Sequence, residues 1–317
     1  MDILRRLDAV NPGNGTIVTI GSFDGIHRGH QALLQETERL ATTQQLKSVL
    51  LTFDPHPQIL LRDKTRPGIR LLSTLEEKEF LINRLFDLDA FLVLDFTAGF
   101  SEMTAKEFVT DILVQKLQAK HVVVGYDHRF GHDRAGDVDF LKTEGAELGF
   151  AVTAMGPIME NGHPMSSTRI RDAIQGNDLD LANRLLGHPY TVYGTVVRGK
   201  GRGRALNYPT ANIQPPIPNK LIPARGVYLA KASFDGHRHF GMCNIGIRPT
   251  FEDELSHDIV EINLFDWNGD ENSLYDKTLL IEFYQKIRAE KTFASPRDLK
   301  DQLGKDKEEC LKIIENL

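Results

Sequence analysis

The feature that most constrains the fold of this 317-residue chain is a change of hydrophobic pattern near residue 186. Before that point, short apolar runs alternate with segments of helical spacing. After it, apolar runs of strand character follow one another, with turn residues between them. The change predicts two domains of different class, and we place them at residues 1–186 and 187–317.

The first domain is predicted to be an α/β domain around a parallel sheet. Its strand-like runs are Thr16–Ile20, Ser48–Phe53, Phe91–Asp95, His121–Val124 and Phe150–Ala154. Between them, Thr74 with Glu77 and Thr104 with Glu107 have the form of helix capping boxes. Strands separated by helices indicate βαβ units, in which the strands pair in parallel.

The second domain is predicted to be a small antiparallel β-barrel followed by a C-terminal helix. Its strand-like runs are Thr191–Val197, Val227–Ser233, His239–Ile245, Ile259–Phe265 and Leu279–Ile287. Asp235-Gly236 between two of these runs is a strong signal for a tight hairpin. Ser295 and Pro296 suit the N-cap and the first position of the closing helix.

Composition narrows the classes of function. A formal net charge of −6 argues against a nucleic-acid-binding protein. The two cysteines, Cys243 and Cys310, cannot build a disulfide framework, so we expect a cytoplasmic protein. The first residues lack the apolar stretch of a signal peptide. Nowhere is there a run of about 18 apolar residues, so we expect no membrane association.

A phosphate site is predicted where the first long strand meets a helix. The turn begins Gly21-Ser22-Phe23-Asp24-Gly25 and continues to His27, Gly29 and His30. Free N–H groups and the helix dipole favour an anion there, although neither a P-loop nor a dinucleotide fingerprint is present. Two imidazoles at this end of a helix suit a developing charge on phosphate, and Gly29 allows close approach. A zinc pair, which needs further ligands, and two surface histidines remain alternatives.

A second anion-binding segment lies about 140 residues later along the chain. In Met165–Arg171, the hydroxyls of Ser167 and Thr168 precede a helical stretch, and the cation of Arg171 follows them. A helix N-cap with a solvated basic turn is the alternative.

The second domain carries three further candidate features. The loop Arg198–Arg204 combines glycines with cations, as an anion site does, and an RGG-like nucleic-acid patch is its rival. Its candidate phosphate-binding residues are Gly199, Lys200, Gly201, Arg202 and Gly203. Thr210 and Asn212 are hard oxygen ligands on one face of an extended segment and suit Mg²⁺, whereas an ordinary turn is the alternative. Glu261 is a candidate general base, or else an exposed strand residue.

The His27/His30 and Met165–Arg171 motifs, in this order on an α/β frame, resemble the nucleotidylyltransferase superfamily with its Rossmann-like sheet. Gly125–Gly131 and Phe53–Pro57 are more narrowly similar to the FAD synthetase module of bacterial bifunctional riboflavin kinase/FAD synthetases. The resemblance implies contacts of His27 and His30 with the ATP phosphates. It also implies that Ser167, Thr168 and Arg171 bind the β- and γ-phosphates. The implied adenine and flavin pocket residues are Phe53, Pro55, His56, Gly125, Asp127 and Arg129. His128 departs from the family by standing where an aromatic such as Phe is expected.

The second domain resembles the riboflavin kinase domain. The matching segments are Tyr208–Asn212, Gly226–Tyr228, Asn244–Phe251, Leu274-Tyr275 and Ile287–Phe293. The resemblance implies that Thr210 and Asn212 hold Mg²⁺, that Glu261 accepts the riboflavin 5′-hydroxyl proton, and that Tyr228 belongs to the flavin pocket. The departures from the family pattern are Asn207 and Asp276, where glycine is expected, and Asn263, where histidine is frequent.

Together the resemblances imply an enzyme that makes FMN from riboflavin and ATP, and then FAD from FMN and ATP. ADP and pyrophosphate are the expected co-products, and Mg²⁺ is the expected cofactor. Two alternatives remain at this point. One is a flavin-binding regulator with an inactive module. The other is a cytidylyltransferase, because the histidine motif does not select the nucleobase.

Overall fold

The computed structural model describes residues 1–61, 68–199, 208–247, 258–267 and 271–317. The described chain forms two compact units. The sheet unit comprises residues 1–70 and 78–167, and the barrel unit comprises residues 71–77 and 168–317. The domain boundary expected between residues 186 and 187 stays a prediction.

The sheet unit contains a six-stranded sheet in which every pairing is parallel. Its strands are β1 (Asp2–Leu4), β2 (Thr16–Ile20), β3 (Lys47–Asp54), β4 (Ala90–Asp95), β5 (Ala119–Gly125) and β6 (Ala151–Met155). All five residues of β2 are buried, which is why the central strands read as continuous apolar runs. The predicted parallel sheet is confirmed. The edge strand β1 was not predicted, because three residues carry no periodic pattern.

Helices and a small hairpin lie between and after these strands, up to residue 186, and residues 71–77 and 168–186 of this stretch belong to the barrel unit. The helices are α1 (Arg28–Gln44), α2 (Pro57–Leu60), α3 (Leu75–Leu85), α4 (Ala98–Ser101), α5 (Ala105–Glu107), a π-helix (Phe108–Lys116), α6 (Val138–Leu148), α7 (Ser167–Gln175), α8 (Leu179–Leu186) and the 3-10 turns Leu7–Ala9 and His132–Arg134. The hairpin consists of β7 (Met159–Glu160) and β8 (His163–Pro164). Both predicted capping boxes are confirmed, since Thr74 and Thr104 each exchange hydrogen bonds with the glutamate three residues later.

The strand order locates the crevice in which a ligand binds to such a sheet. The order is β1-β4-β3-β2-β5-β6, so the chain runs outward from β2 through β3 and β4 before returning to the other side of β2 at β5. In open parallel sheets, ligands bind at the carboxyl ends of the strands where the order reverses. The residues that follow β2 and β5 therefore occupy the ligand-binding position of this sheet.

The barrel unit is a closed antiparallel barrel of order β10-β13-β12-β11-β14-β9. Its strands are β9 (Tyr190–Val197), β10 (Ala211–Gln214), β11 (Gly226–Phe234), β12 (His237–Ile247), β13 (Asp258–Leu264) and β14 (Thr278–Arg288), and the 3-10 turn Glu271–Leu274 precedes β14. Asp235 (φ 45°) and Gly236 (φ 79°) form the predicted hairpin turn, whose type needs positive φ at both positions. The predicted barrel is confirmed.

A C-terminal helix, α9 (Pro296–Ile314), closes the chain. The Ser295 hydroxyl accepts a hydrogen bond from the Asp298 N–H at 3.2 Å, as expected for the N-cap. Buried Cys310 on this helix packs with Val227 and Leu229 of β11. The helix therefore covers one side of the barrel.

A fully buried ion pair lies inside the barrel unit. The Lys220 Nζ is 2.7 Å from Glu77 Oε2, and both side chains are 0% exposed. Lys220 also donates to the carbonyls of Leu72 and Thr191, at 2.6 and 2.7 Å. Each of its three donor hydrogens therefore has an acceptor.

The Glu77 carboxylate links the start of α3 to the barrel strands. Its Oε1 accepts from the Tyr193 N–H at 2.6 Å, and its Oε2 accepts from the Thr74 N–H at 2.8 Å. Burial raises the pKa of Glu77, and Lys220 with the two N–H groups opposes that rise. The ion pair therefore holds residues 71–77 on the barrel, 143 positions away in sequence.

Removing one member of this pair leaves a buried, uncompensated charge. We expect Lys220→Met to lower the free energy of unfolding by about 3–5 kcal/mol. Lys277→Met, which removes the same group from an exposed pair with Asp235, should change it by about 1 kcal/mol or less. The additional change Glu77→Gln should restore part of the loss.

Fluorescence-detected urea unfolding measures this effect in the barrel unit alone, because Trp267 is the only tryptophan of the chain. Its indole packs against the rings of Phe234 and His239 in that unit. Equal stability of Lys220→Met and Lys277→Met would contradict the importance of the buried pair.

Candidate active sites

The turn after β2 has an unusual backbone. Phe23 (φ 47°), Gly25 (φ 89°) and Ile26 (φ 44°) all lie in the left-handed region, which bulky residues rarely adopt. Phe23 and Asp24 are each only 1% exposed. Such strained, buried turns are typical of functional sites, because the surroundings must hold the backbone in place.

Side chains from elsewhere in the sheet unit hold the carbonyls of this turn. The Lys78 ammonium donates to the Ser22 carbonyl at 2.7 Å, and the Ser167 hydroxyl donates to the Asp24 carbonyl at 2.9 Å. Gly21 continues the β-pairing, since its N–H donates to the Leu51 carbonyl at 3.1 Å. Ser167, predicted as a phosphate ligand, is thus brought to the turn that contains Gly21, Asp24 and Gly25.

His27 and His30 stack on each other at the N-terminus of α1. Their ring centroids are 3.6 Å apart with an interplanar angle of 16°. His27 is the N-cap, and its Nδ1 accepts from the His30 N–H at 3.3 Å. Because Nδ1 accepts this bond, the proton of the His27 ring is on Nε2. A Cβ at Gly29 would lie 3.0 Å from His27 Cε1, so the glycine accommodates this ring.

The histidine pair differs from two ordinary surface histidines. Burial lowers the pKa of His30 well below its ordinary value, and the charges of His27 and Lys78 lower it further. His30 is therefore neutral at pH 7, and its buried Nδ1 has no hydrogen-bond partner. In the described residues, no group of three or more His, Cys, Asp or Glu side chains could hold a metal, so the zinc alternative lacks its further ligands there.

The second predicted phosphate segment begins a helix, as expected. Helix α7 starts at Ser167, with Thr168 exposed and Arg171 partly buried. Ser167 and Arg171 are four residues apart and therefore lie on the same face of the helix.

Aromatic side chains gather where β3 and β4 end. Phe53 lies 5.6 Å from Phe96 and 5.4 Å from Phe100 between ring centroids. Pro55 is exposed, whereas His56 is 8% exposed and caps α2 through Nδ1, which accepts from the Gln58 N–H. The motif thus provides an aromatic surface at the carboxyl edge of the sheet.

The segment after β5 lies on the other side of the strand reversal. Gly125 ends β5, and a Cβ there would lie 3.3 Å from an Asp127 carboxylate oxygen. Arg129 forms an ion pair at 2.9 Å with Asp137, the N-cap of α6. Burial lowers the pKa of His128 to about 4, so the ring is neutral and stacks on Phe130 with centroids 5.6 Å apart. His128 therefore replaces the expected aromatic with another flat, uncharged ring.

In the barrel unit, Glu261 lies at the centre of a row of polar side chains. It is paired with Asn212 on one neighbouring strand and with Asn244 on the other. Directly opposite residues project from the same face of a sheet, with Cβ atoms about 4.5–5.5 Å apart. The flanking residues Val260 and Ile262 are buried in the barrel core. The row therefore lies on the outer face.

Gly199 lies close to the Asn212 side chain at one end of this row. A Cβ at Gly199 would lie 2.2 Å from the Asn212 amide nitrogen, so a larger residue there would displace the Asn212 side chain. Thr210 immediately precedes β10 and is partly buried. The predicted loop residues Lys200, Gly201, Arg202 and Gly203 lie outside the described residues.

The remaining predicted residue and two departures have clear local environments. Tyr228 is 1% exposed, packs edge-on against Phe283, and donates its hydroxyl to the Ala224 carbonyl. Its place in a flavin pocket stays a prediction. Asn263 donates to the Pro209 carbonyl at 2.7 Å, and Asp276 adopts φ 63°, a conformation for which glycine is typical. Asn207 lies outside the described residues.

Sequence reasoning missed Lys78, Asn244, Phe96 and Phe100. Lys78 has the pattern of an ordinary helical lysine, and only the strand register reveals that Asn244 is opposite Glu261. The two phenylalanines follow β4 directly, so their position after a strand was the available signal.

Comparisons with known proteins match each part of the chain to a family of known activity. A family model for FAD synthetase matches residues 11–169, and one for riboflavin kinase matches residues 186–314. The chain is 38% identical to a bifunctional riboflavin kinase/FMN adenylyltransferase of Pseudomonas fluorescens, covering 96% of both chains. It is 36% identical to the protein of that name from Escherichia coli K12, again covering 96% of both.

A solved structure extends the likeness to the fold. A crystal structure described as a macrolide-efflux protein from Streptococcus pneumoniae matches with a TM-score of 0.82 at 30% identity and covers 97% of both chains. That description applies to the pneumococcal protein only. In the chain studied here, no helix among the described residues is long and apolar enough to cross a membrane. The two family models and the near-complete coverage of the relatives together show that the chain belongs to the bifunctional riboflavin kinase/FMN adenylyltransferase family.

Proposed function

We propose that FMN adenylylation takes place at the turn after β2 and that riboflavin phosphorylation takes place at the Asn212–Glu261–Asn244 row. The chain is an enzyme with both activities: it phosphorylates riboflavin with ATP to give FMN and ADP, and it converts FMN and ATP to FAD and pyrophosphate. The observation that carries the first assignment is the stacked His27–His30 pair at the reversal of strand order.

In adenylylation, an oxygen of the FMN phosphate attacks the α-phosphorus of ATP, and the bond to the pyrophosphate oxygen breaks. No nucleophile from the protein is needed, so positioning and charge stabilisation carry the rate. The N-terminus of α1 and the Gly21–Gly25 turn supply N–H groups for the phosphates. The Nε2–H of His27 is a further donor for them. Ser167, Thr168 and Arg171 bind the β- and γ-phosphates that leave together.

The flavin and adenine groups are assigned to the two sides of the strand reversal. Phe53, Pro55 and His56 follow β3 and offer a flat apolar surface, whereas Gly125, Asp127 and Arg129 follow β5. An isoalloxazine or adenine ring gains from contact with such an aromatic surface. The aromatic and polar character of these side chains supports this assignment.

In the kinase, Glu261 accepts the proton of the riboflavin 5′-hydroxyl as that oxygen attacks the γ-phosphorus of ATP, and ADP leaves. The residues present are suited to Mg²⁺, because the Thr210 hydroxyl and Asn212 amide are hard oxygen donors beside a carboxylate. The bare Gly199 backbone over Asn212 is further support, since a larger residue would fill that space. When bound, Mg²⁺ neutralises phosphate charge. The loop containing Gly199, Lys200, Gly201, Arg202 and Gly203 covers the nucleotide, and Tyr228 supports the flavin.

We propose that the enzyme is located in the cytoplasm. Cys243 and Cys310 are both free thiols buried in the barrel unit, as a reducing compartment favours.

Loss of the His27 imidazole should impair only the first of these sites. We expect His27→Ala to lower kcat/KM for FAD synthesis by about 100-fold or more, because a donor to the transition state is lost. His163→Ala, which removes an exposed imidazole of the same unit, should have no such effect. Chromatographic assay of FAD formed from FMN measures this, and full activity of His27→Ala would remove His27 from the mechanism.

Loss of the Glu261 carboxylate should impair only the second site. We expect Glu261→Gln to abolish FMN formation, since the amide cannot accept the proton, while FAD synthesis from added FMN continues. Glu308→Gln on an exposed position of α9 is the matched control. A parallel loss of both activities in Glu261→Gln would contradict the separation of the two sites.

The assignment of Mg²⁺ is tested by its concentration dependence. We expect Asn212→Leu to raise the Mg²⁺ concentration that gives half-maximal kinase activity by about tenfold or more, because one bond to a charged group is lost. The Mg²⁺ dependence of FAD synthesis in the same protein should not change. If the two reactions shifted together, or neither shifted, Asn212 would not hold the metal.

A further inference from the structure

We propose that Lys78 is a positioning residue for FMN adenylylation, and that its ammonium group orients the Ser22–Phe23 peptide so that its N–H faces the ATP phosphates. This inference rests on the proposed assignment of the Gly21–Gly25 turn to those phosphates. Lys78 does not touch the substrate, because its side chain is buried and acts through the backbone.

The contact between Lys78 and the turn is direct and enclosed. The Lys78 Nζ lies 2.7 Å from the Ser22 carbonyl oxygen, and the residue is only 5% exposed. The Thr52 hydroxyl, on fully buried Thr52, makes a longer hydrogen bond of 3.4 Å to the same oxygen. The Ser22 carbonyl therefore receives a charge-assisted hydrogen bond, which is about twice as strong as a neutral one.

Holding a carbonyl also fixes the neighbouring N–H. In a planar trans peptide, the C=O of one residue and the N–H of the next point in opposite directions. Lys78 therefore directs the Phe23 N–H away from itself, and Ser167 directs the Gly25 N–H away from its hydroxyl in the same manner. With Phe23 at φ 47° and Gly25 at φ 89°, such alternating N–H groups form the kind of concavity that binds anions.

Lys78 occupies a position that by itself disfavours a cation. Helix α3 starts at Leu75 after the Thr74 cap, so Lys78 lies within the first turn, where the helix dipole disfavours a cation. Burial disfavours the charge as well. Both the helix dipole and burial therefore oppose a cation at this position, which indicates that the charge has a role in the neighbouring turn.

Lys78 also acts on the catalytic histidines through its charge. The groups that act on His30 are the stacked ring of His27, the tilted ring of Phe23 at 5.1 Å and the Lys78 ammonium. The ammonium lowers the pKa of His30, so removing it raises that pKa and brings protonation of His30 to a higher pH. If adenylylation needs neutral His30, the acidic limb of its pH profile then moves to higher pH.

The test compares Lys78→Met with Lys78→Arg, and uses Lys142→Met as the control, an exposed lysine of the same unit. We expect Lys78→Met to lower kcat/KM for ATP in FAD synthesis by about 10- to 100-fold, because a hydrogen bond from a charged group is lost. Its acidic limb should move to higher pH, whereas KM for FMN and the riboflavin kinase activity should stay as in the parent. Lys78→Arg, which keeps the charge and a donor, should recover most of the activity.

A second variant separates orientation from charge. Ser167→Ala removes the hydrogen bond to the Asp24 carbonyl, together with the proposed contact of Ser167 with the phosphates, but removes no charge. We therefore expect a loss of kcat/KM for ATP with no shift of the acidic limb. Full FAD synthesis by Lys78→Met, an unmoved acidic limb, or equal loss of both activities would overturn the proposal. If His27→Ala also retained full FAD synthesis, the proposed location of adenylylation would be wrong. If His27→Ala lost activity and Lys78→Met did not, only the role of Lys78 would be wrong.

Discussion

The hydrogen bonds to the carbonyls of the turn after β2 are the constraint on which the proposed adenylylation site depends. A left-handed backbone at Phe23 and Ile26 is unfavourable by itself, and a few side chains hold it in place. Lys78 and Ser167 bond to the Ser22 and Asp24 carbonyls from sequence positions far from the turn. Because the donors come from distant elements, the site forms only when the whole sheet unit folds.

The barrel unit depends in a similar way on a buried ion pair rather than on a strained turn. Lys220 and Glu77 exclude water completely, and the pair is satisfied by backbone carbonyls and N–H groups on all sides. Such a network is stable only when complete, since each partner alone is a buried unpaired charge. The segment 71–77 is therefore a required part of this unit, although the hydrophobic pattern assigns it to the first domain.

The sequence predicted what depends on local pattern and missed what depends on long-range contact. The central strands, the Asp235-Gly236 turn and the capping boxes follow from periodicity and turn chemistry within a few residues, and all are present. The strands β1 and β10 are too short to carry a pattern. The proximity of His27 and His30 was predictable from their spacing, whereas the approach of Lys78 was not, because it depends on how α3 packs against the turn.

Two departures of this chain from its family, His128 and Asp276, are explained by physical equivalence. His128 stands where an aromatic is expected, and burial keeps its ring uncharged and stacked on Phe130. Asp276 stands where glycine is expected, and it adopts the left-handed backbone that glycine allows. What these positions require is a flat neutral ring and a positive φ, and more than one residue type meets each requirement. The roles proposed for Thr210, Asn212 and Glu261 are a stricter requirement, because they depend on specific oxygen donors and on a carboxylate base.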